Sequence, residues 1–271
     1  MGVRIFWQDI YPEIHPLYPD IHIVWDGLKR HARKVIEPDT EVTLSHVDKY
    51  CGNFLYNFLG QLNTVAMVNK IMQAEKEGYD AAIIGCATDP GLEIARSAVD
   101  IPVVGLGEAS MLVAQMVGKR FAIVTVSDLS VPILERNLLI YQFDSRAIKN
   151  RPARVSEYWE PMIQCFQGRP ETLISSFEKV ALELIHDGAD VIIAGCGYTA
   201  AALTLVGYNQ VAQSGVPVID ISAVGLKMAE LLAGLHKSVG LTKSKASTSY
   251  YLSAPQKMVE EARRAFKFVS D

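Results

Sequence analysis

The sequence predicts an α/β protein made of two related parallel-sheet halves. Three observations carry this. Short apolar runs alternate with longer helical patterns along all 271 residues, the mark of parallel strands joined by crossover helices. A stretch of the first half recurs in the second. Both copies end in a buried strand followed by Gly-Cys, the place where open parallel sheets bind their ligands.

In chain order, the first set of strands falls at residues 4–7, 42–47, 81–85 and 102–105. The second set falls at 121–126, 191–194 and 216–219, with a weaker candidate around 145–149. Amphipathic helices lie between them. Leu173, Phe177, Val180, Ala181, Leu184 and Ile185 share one face of a helix of period 3.6. A second helix covers residues 62–77. The C-terminal stretch 255–269 has Pro255 at its first turn and Met258, Ala262, Ala265, Phe266 and Val269 as its apolar stripe.

The repeat is the most informative feature. Residues 77–88, EGYDAAIIGCAT, lie on residues 187–198, DGADVIIAGCGY, at an offset of 110 without a gap. Gly78/Gly188, Asp80/Asp190, Ile83/Ile193, Gly85/Gly195 and Cys86/Cys196 are identical pairs. Further on, residues 101–104 (IPVV) match 216–219 (VPVI), now at an offset of 115. No Gly/Ser-rich linker separates the copies, so the halves are pressed together rather than tethered. The last 50 residues are expected to return to the first half. That gives a discontinuous first domain of residues 1–116 plus 222–271, and a second of 117–221.

Composition bounds the function. Hydrophobic residues make up 49% and charged residues 21% of the chain, ordinary for a globular protein. A formal net charge of −4 offers no electrostatic case for nucleic acid or an acidic membrane surface. No apolar run reaches the roughly 18 residues needed to cross a bilayer. The start lacks the apolar core and cleavage site of a secretory signal, and Phe6 stands where a myristoylation signal needs Ser or Thr. A cytoplasmic location is the expectation.

The four cysteines are Cys51, Cys86, Cys165 and Cys196. No C-x-x-C spacing and no paired-histidine motif occurs, so neither metal nor disulfide is expected. Cys86 and Cys196 each follow a buried strand and precede a helix. Asp89 with Pro90 reads as the N-cap and first residue of one such helix, and Thr199 as the N-cap of the other. A helix N-terminus lowers a thiol pKa and favours the thiolate. Its free N–H groups also bind a carboxylate or a developing enolate. Two such thiols on opposite walls suit removal of a proton from carbon and its return to the opposite face, without a cofactor. The plainer alternative is that a strand-end cysteine is a small buried hydrophobe, copied by duplication. Cys51 and Cys165 lack the strand-Gly-Cys-helix setting and are read as structural.

Residues 85–92 (GCATDPGL), followed by 101–109 (IPVVGLGEA), resemble the aspartate/glutamate/hydantoin racemase superfamily, most closely its hydantoin and allantoin racemase branch. Residues 118–125 (GKRFAIVT) resemble that family's next strand, and Gly195-Cys196 its second cysteine. The resemblance runs from Arg4 to about Leu226. It implies two Rossmann-like (flavodoxin-like) domains related by a pseudo-two-fold axis, with the active site between them. It also implies catalysis without a cofactor, a small-molecule substrate and homo-oligomerisation. Carried over residue by residue, Cys86 and Cys196 are the acid/base pair. Thr88, Thr125, Ser127, Gly197, Tyr198 and Thr199 fall where the family binds the polar groups of its substrate. Many hydantoin racemases end the first strand in Asn-Pro-Asn; here Gln8, in Trp7-Gln8-Asp9-Ile10-Tyr11-Pro12, offers the amide instead. Tyr198 adds bulk and a hydroxyl to the cleft.

Other features have simpler readings. Gly105-x-Gly107 lacks the third glycine of a dinucleotide fingerprint, and residues 118–120 lack the Ser/Thr of a phosphate loop. Glu108 is explained by the dipole of the helix it opens. Lys243, Ser244, Lys245 and Ser247 read as a solvated loop. Trp7, Tyr11, Tyr18 and Trp25, with His15 and His22, read as packing or a subunit contact, a lid over the cleft being the lesser alternative. Two other functions compete with racemisation: a cysteine-dependent decarboxylase or cis-trans isomerase on the same fold, and a non-catalytic protein binding a small ligand between two lobes.

Overall fold

The computed structural model describes residues 2–48 and 52–266. The first half runs β1 (Arg4–Gln8), α1 (Ile21–Val35), β2 (Glu41–Ser45), α2 (Asn57–Lys76), β3 (Ala81–Ile84), α3 (Leu92–Ala98), β4 (Val103–Gly105) and α4 (Leu106–Val117). The second runs β5 (Phe121–Thr125), α5 (Val131–Ile140), β6 (Ala153–Val155), α6 (Trp159–Phe166), α7 (Glu171–His186), β7 (Val191–Ala194), α8 (Gly197–Leu205) and β8 (Val218–Asp220). Helices α9 (Ile221–Val239) and α10 (Gln256–Ala265) complete the chain.

Each half forms one four-stranded parallel sheet. The orders are β2-β1-β3-β4 and β6-β5-β7-β8, the same sequence of neighbours twice. Strands β3, β5 and β7 are apolar apart from Thr125 because both faces are covered: every residue of the three is buried. Pairing of Ile5 with Ala81 and of Phe121 with Val191 brings the carboxyl ends of β1, β3, β5 and β7 to the cleft side in matching register. The fold is therefore α/β with two parallel sheets, as the sequence predicts.

The halves exchange their last helices. Helix α4 leaves the first sheet but lies against β5, β7 and β8 as well as β4, while α9 leaves the second and lies against β1, β3 and β4. The two helices also pack on each other, with Leu106 filling the space a side chain at Gly225 would need. One continuous core thus includes Ile5, Ile83, Leu106, Ile123, Ile193 and Leu226. A polar tie adds to it: His31 of α1, 1% exposed, meets Asp220 at 2.6 Å. Asp220 also N-caps α9 through the N–H groups of Ser222 and Ala223. Burial is the largest single influence on Asp220 and would raise its pKa, but the bond and charge of His31, with the Thr204 hydroxyl and the Ala223 N–H, together hold the carboxyl below its ordinary value.

Three expectations need correction. Residues 145–149 form no strand: only Ala147 bridges to Phe121, and the edge strand is β6, from Ala153. The intervening Lys149-Asn-Arg-Pro152 breaks the ladder, with Arg151 at φ 47° and Pro152 unable to donate. Lys243 is not a solvated residue. Its ammonium donates to the carbonyls of Arg96 (2.8 Å) and Val99 (2.6 Å) at the end of α3, while Lys245 pairs with Asp100 at 2.8 Å. Cations there complement the negative end of the helix and return the chain to the first half. Finally, α10 forms but buries none of its residues, leaving Met258 and Phe266 exposed. Cys165 is 2% exposed in the core and donates to the Ala202 carbonyl, consistent with a packing role. Cys51 lies outside the described residues. No described helix is long and apolar enough to cross a membrane.

Candidate active site

The two Gly-Cys steps are built alike. A side chain at Gly85 would collide with the Trp7 indole nitrogen and come within 2.9 Å of the Gln8 carbonyl; one at Gly195 would collide with Ile123 and come within 3.1 Å of the Val124 carbonyl. Glycine therefore lets each cysteine leave its strand flat against the neighbouring strand. Cys86 and Cys196 are both partly exposed at these strand ends. Cys86 lies within electrostatic reach of Cys196, and the phenol of Tyr11 within reach of both sulfurs.

Past each cysteine the chain departs from expectation. Asp89 does not cap the helix after Cys86, which starts only at Leu92, after Gly91 at φ 75°. Held at φ 50°, Asp89 instead accepts from the N–H groups of Gly107 (2.9 Å) and Glu108 (2.7 Å), and from the Tyr141 hydroxyl at 3.1 Å. It caps α4. Gly105 and Gly107 are glycines because a Cβ on either would strike this carboxylate. In the second half α8 begins at once, at Gly197, with Cys196 itself at the cap position. Thr199 sits inside the first turn rather than before it. Gly197 is pinned by the Ser222 hydroxyl, which donates to its carbonyl at 2.9 Å.

The thiols are not lowered in pKa. Burial pushes Cys86 up to about 12, outweighing the Thr88 hydroxyl 3.1 Å away and the Thr88 N–H. Burial likewise raises Cys196, against the N–H groups of Thr199 and Tyr198 and the Thr199 hydroxyl. The dipole argument fails because removing a thiolate from water costs more than one helix turn returns.

The remaining candidates divide. Thr88 touches Cys86, and Gly197, Tyr198 and Thr199 form the turn beside Cys196. Gln8 is wholly buried, with its amide donating to the Asp9 carbonyl (2.7 Å) and accepting from Ser45 (3.2 Å). Thr125 is 1% exposed and bonded to Ser130 at 2.8 Å, while Ser127 accepts from the Leu129 N–H at 3.2 Å. These last three are engaged in holding their own strand ends and turns. Glu108 does not reach the cleft; it forms a two-bond pair with Arg96. A groove of about 750 Å³ runs alongside, reaching the site at Thr88 and otherwise lined by residues such as Thr64, Asn137 and Tyr141.

Asp9 is a buried acid within electrostatic reach of Cys196 that no sequence motif points to. It is wholly buried, accepts from the Tyr198 hydroxyl at 2.6 Å and the Tyr11 N–H at 3.0 Å, and acts on Cys196 electrostatically. Burial raises its pKa to about 7 despite these bonds. Its only sequence signal is an acid directly after a buried strand. Tyr158, within electrostatic reach of Cys196, carries no sequence signal at all.

Comparisons with known proteins show the family of the chain. The family described as Asp/Glu/hydantoin racemase matches residues 23–249. A hydantoin racemase of Rhizobium meliloti is 33% identical over 192 residues, covering 70% of this chain and 73% of its own. A hydantoin racemase of Pseudomonas sp. (strain NS671) is 28% identical over 219 residues, covering 80% and 84%. Among solved structures, an allantoin racemase from Klebsiella pneumoniae superposes with a TM-score of 0.71 at 25% identity, over 93% of this chain and 94% of its own. The chain belongs to the Asp/Glu/hydantoin racemase family, on its hydantoin and allantoin branch, and is an isomerase of the racemase type.

Proposed function

We propose that the chain racemises a small carbon acid activated by a neighbouring carbonyl, a 5-substituted hydantoin or allantoin, with Cys86 and Cys196 as the acid/base pair and no cofactor. The observation that supports this most is the placement of two cysteines at equivalent strand ends of facing halves. The division we propose, residues 1–116 with 222–271 against 117–221, puts one thiol on each wall. One thiolate takes the proton from the chiral carbon. The electron pair moves onto the carbonyl oxygen, near the N–H groups that open α8. The opposite thiol then protonates the other face, and the reverse reaction exchanges the roles. Retention of both cysteines favours racemisation over a decarboxylation that one cysteine would serve. A cytoplasmic homo-oligomer is the setting we infer for it.

The test is exchange of the chiral proton in D₂O, starting from each hydantoin enantiomer. Cys86→Ser and Cys196→Ser each lose racemisation by about 10³-fold or more, and each retains exchange from one enantiomer at most. Because burial raises both thiols, wild-type kcat/KM rises with pH from 6 to 9 as the thiolate fraction grows. Full racemisation by either single variant removes the two-thiol mechanism.

A further inference from the structure

The aromatic residues of the N-terminal stretch have no part in the two-thiol chemistry, yet they gather beside it. Tyr11 meets His15 edge-on at 4.7 Å, Phe54 at 5.8 Å and Tyr18 at 6.2 Å, and lies 6.4 Å from the Tyr198 ring that comes two residues after Cys196. Tyr18, from the loop between β1 and α1, stacks on Trp159 at 3.9 Å with planes 30° apart. Trp159 opens α6 in the other half, and Tyr158 meets it edge-on at 6.0 Å. The stack therefore bridges the two halves. The phenol of Tyr11 lies within electrostatic reach of both sulfurs, and that of Tyr158 within reach of Cys196.

These rings are half-buried, unlike the aliphatic core beneath them. A ring wall of this kind gains from a flat apolar group by edge-to-face and stacked contact. It offers a ureido substituent, with several donors and acceptors, only scattered phenol hydroxyls, and each polar group left unpaired costs free energy. We propose that Tyr11, Tyr18, Tyr158 and Trp159 form the subsite for the substituent on the reacting carbon. The substrates preferred are then hydantoins bearing an aryl or arylmethyl group rather than allantoin. This rests on the racemase reading above.

The experiment compares kcat/KM for 5-benzylhydantoin, 5-methylhydantoin and allantoin in wild type, Trp159→Ala and Trp159→Phe. Wild type prefers 5-benzylhydantoin to both others by about tenfold or more. Trp159→Ala lowers the benzyl-to-methyl ratio by about tenfold, chiefly through KM, and Trp159→Phe restores most of it. Preference for allantoin in wild type, or an unchanged ratio in Trp159→Ala, overturns the subsite while leaving the racemase reading intact. Absence of turnover on all three compounds overturns the racemase reading itself.

Discussion

Cys86 and Cys196 leave equivalent strands in sheets of identical strand order, yet the chain continues differently from each. After Cys86 it loops outward, sends Asp89 across to cap α4, and delays α3 until Leu92. After Cys196 it turns directly into α8, so the sulfur sits at the helix start. Each thiol has the hydroxyl and N–H of a threonine beside it, Thr88 for Cys86 and Thr199 for Cys196, but Cys196 has the Tyr198 N–H of the helix start as well. Each also feels one buried carboxyl, Asp89 for Cys86 and Asp9 for Cys196. A duplicated scaffold thus carries two thiols in unequal surroundings. That suits a reaction in which one gives a proton while the other takes one.

The largest expected difference between the halves is in stability. Asp89→Ala leaves the buried Gly107 N–H without its acceptor and deprives Glu108 of its cap, so it costs about 2–4 kcal/mol. Thr199→Ala, at the counterpart turn, caps nothing and costs less than about 1 kcal/mol. Denaturant midpoints of both variants check this; equal losses erase the contrast.

The two raised carboxyls give the next effect. The unfolded chain releases both protons near pH 4, whereas folded Asp9 and Asp89 hold theirs until about pH 7. Between those values the folded state binds more protons, so stability falls as pH rises, by up to about 1.4 kcal/mol per pH unit for each carboxyl. Asp9→Asn removes its share of that slope. Urea midpoints measured from pH 4 to 8 decide the matter, and an unchanged slope in Asp9→Asn removes Asp9 as a source.

The smallest effect is on the reactivity of one thiol. Thr88→Val deletes the hydroxyl beside Cys86 and raises that thiol further. Alkylation of Cys86 by iodoacetamide at fixed pH slows by several-fold, with Cys196 unaffected. Equal slowing at both sulfurs means that the two surroundings are coupled rather than separate.

Much of the fold is legible in the sequence because it rests on local patterns. The apolar runs of β3, β5 and β7 and the repeat at an offset of 110 residues place the strands directly. Residues 145–149 mislead because the adjacent Ala147 and Ile148 are as apolar as Ala153 and Val155 of β6, and only pairing along the β5 edge separates the two segments. At the site, the Gly-Cys pairs are legible since glycine before a strand-end cysteine has a steric reason that sequence displays. The role of Asp89 is not, because its partners lie 18 and 19 residues away, beyond any capping pattern. Lys243 is hidden for the same reason: its acceptors are carbonyls 147 and 144 residues distant.

By itself, then, the sequence determined the α/β class, the two halves, and the pair of cysteines in matching positions. Periodicity, glycine and proline act over a few residues, and a repeat is visible without coordinates. Tertiary structure alone decided that the halves exchange α4 and α9, that Asp9 joins Tyr198 beside Cys196, and that Tyr18 meets Trp159. It also reversed the expected shift of both thiols. Desolvation depends on everything packed around an atom, which no local pattern encodes.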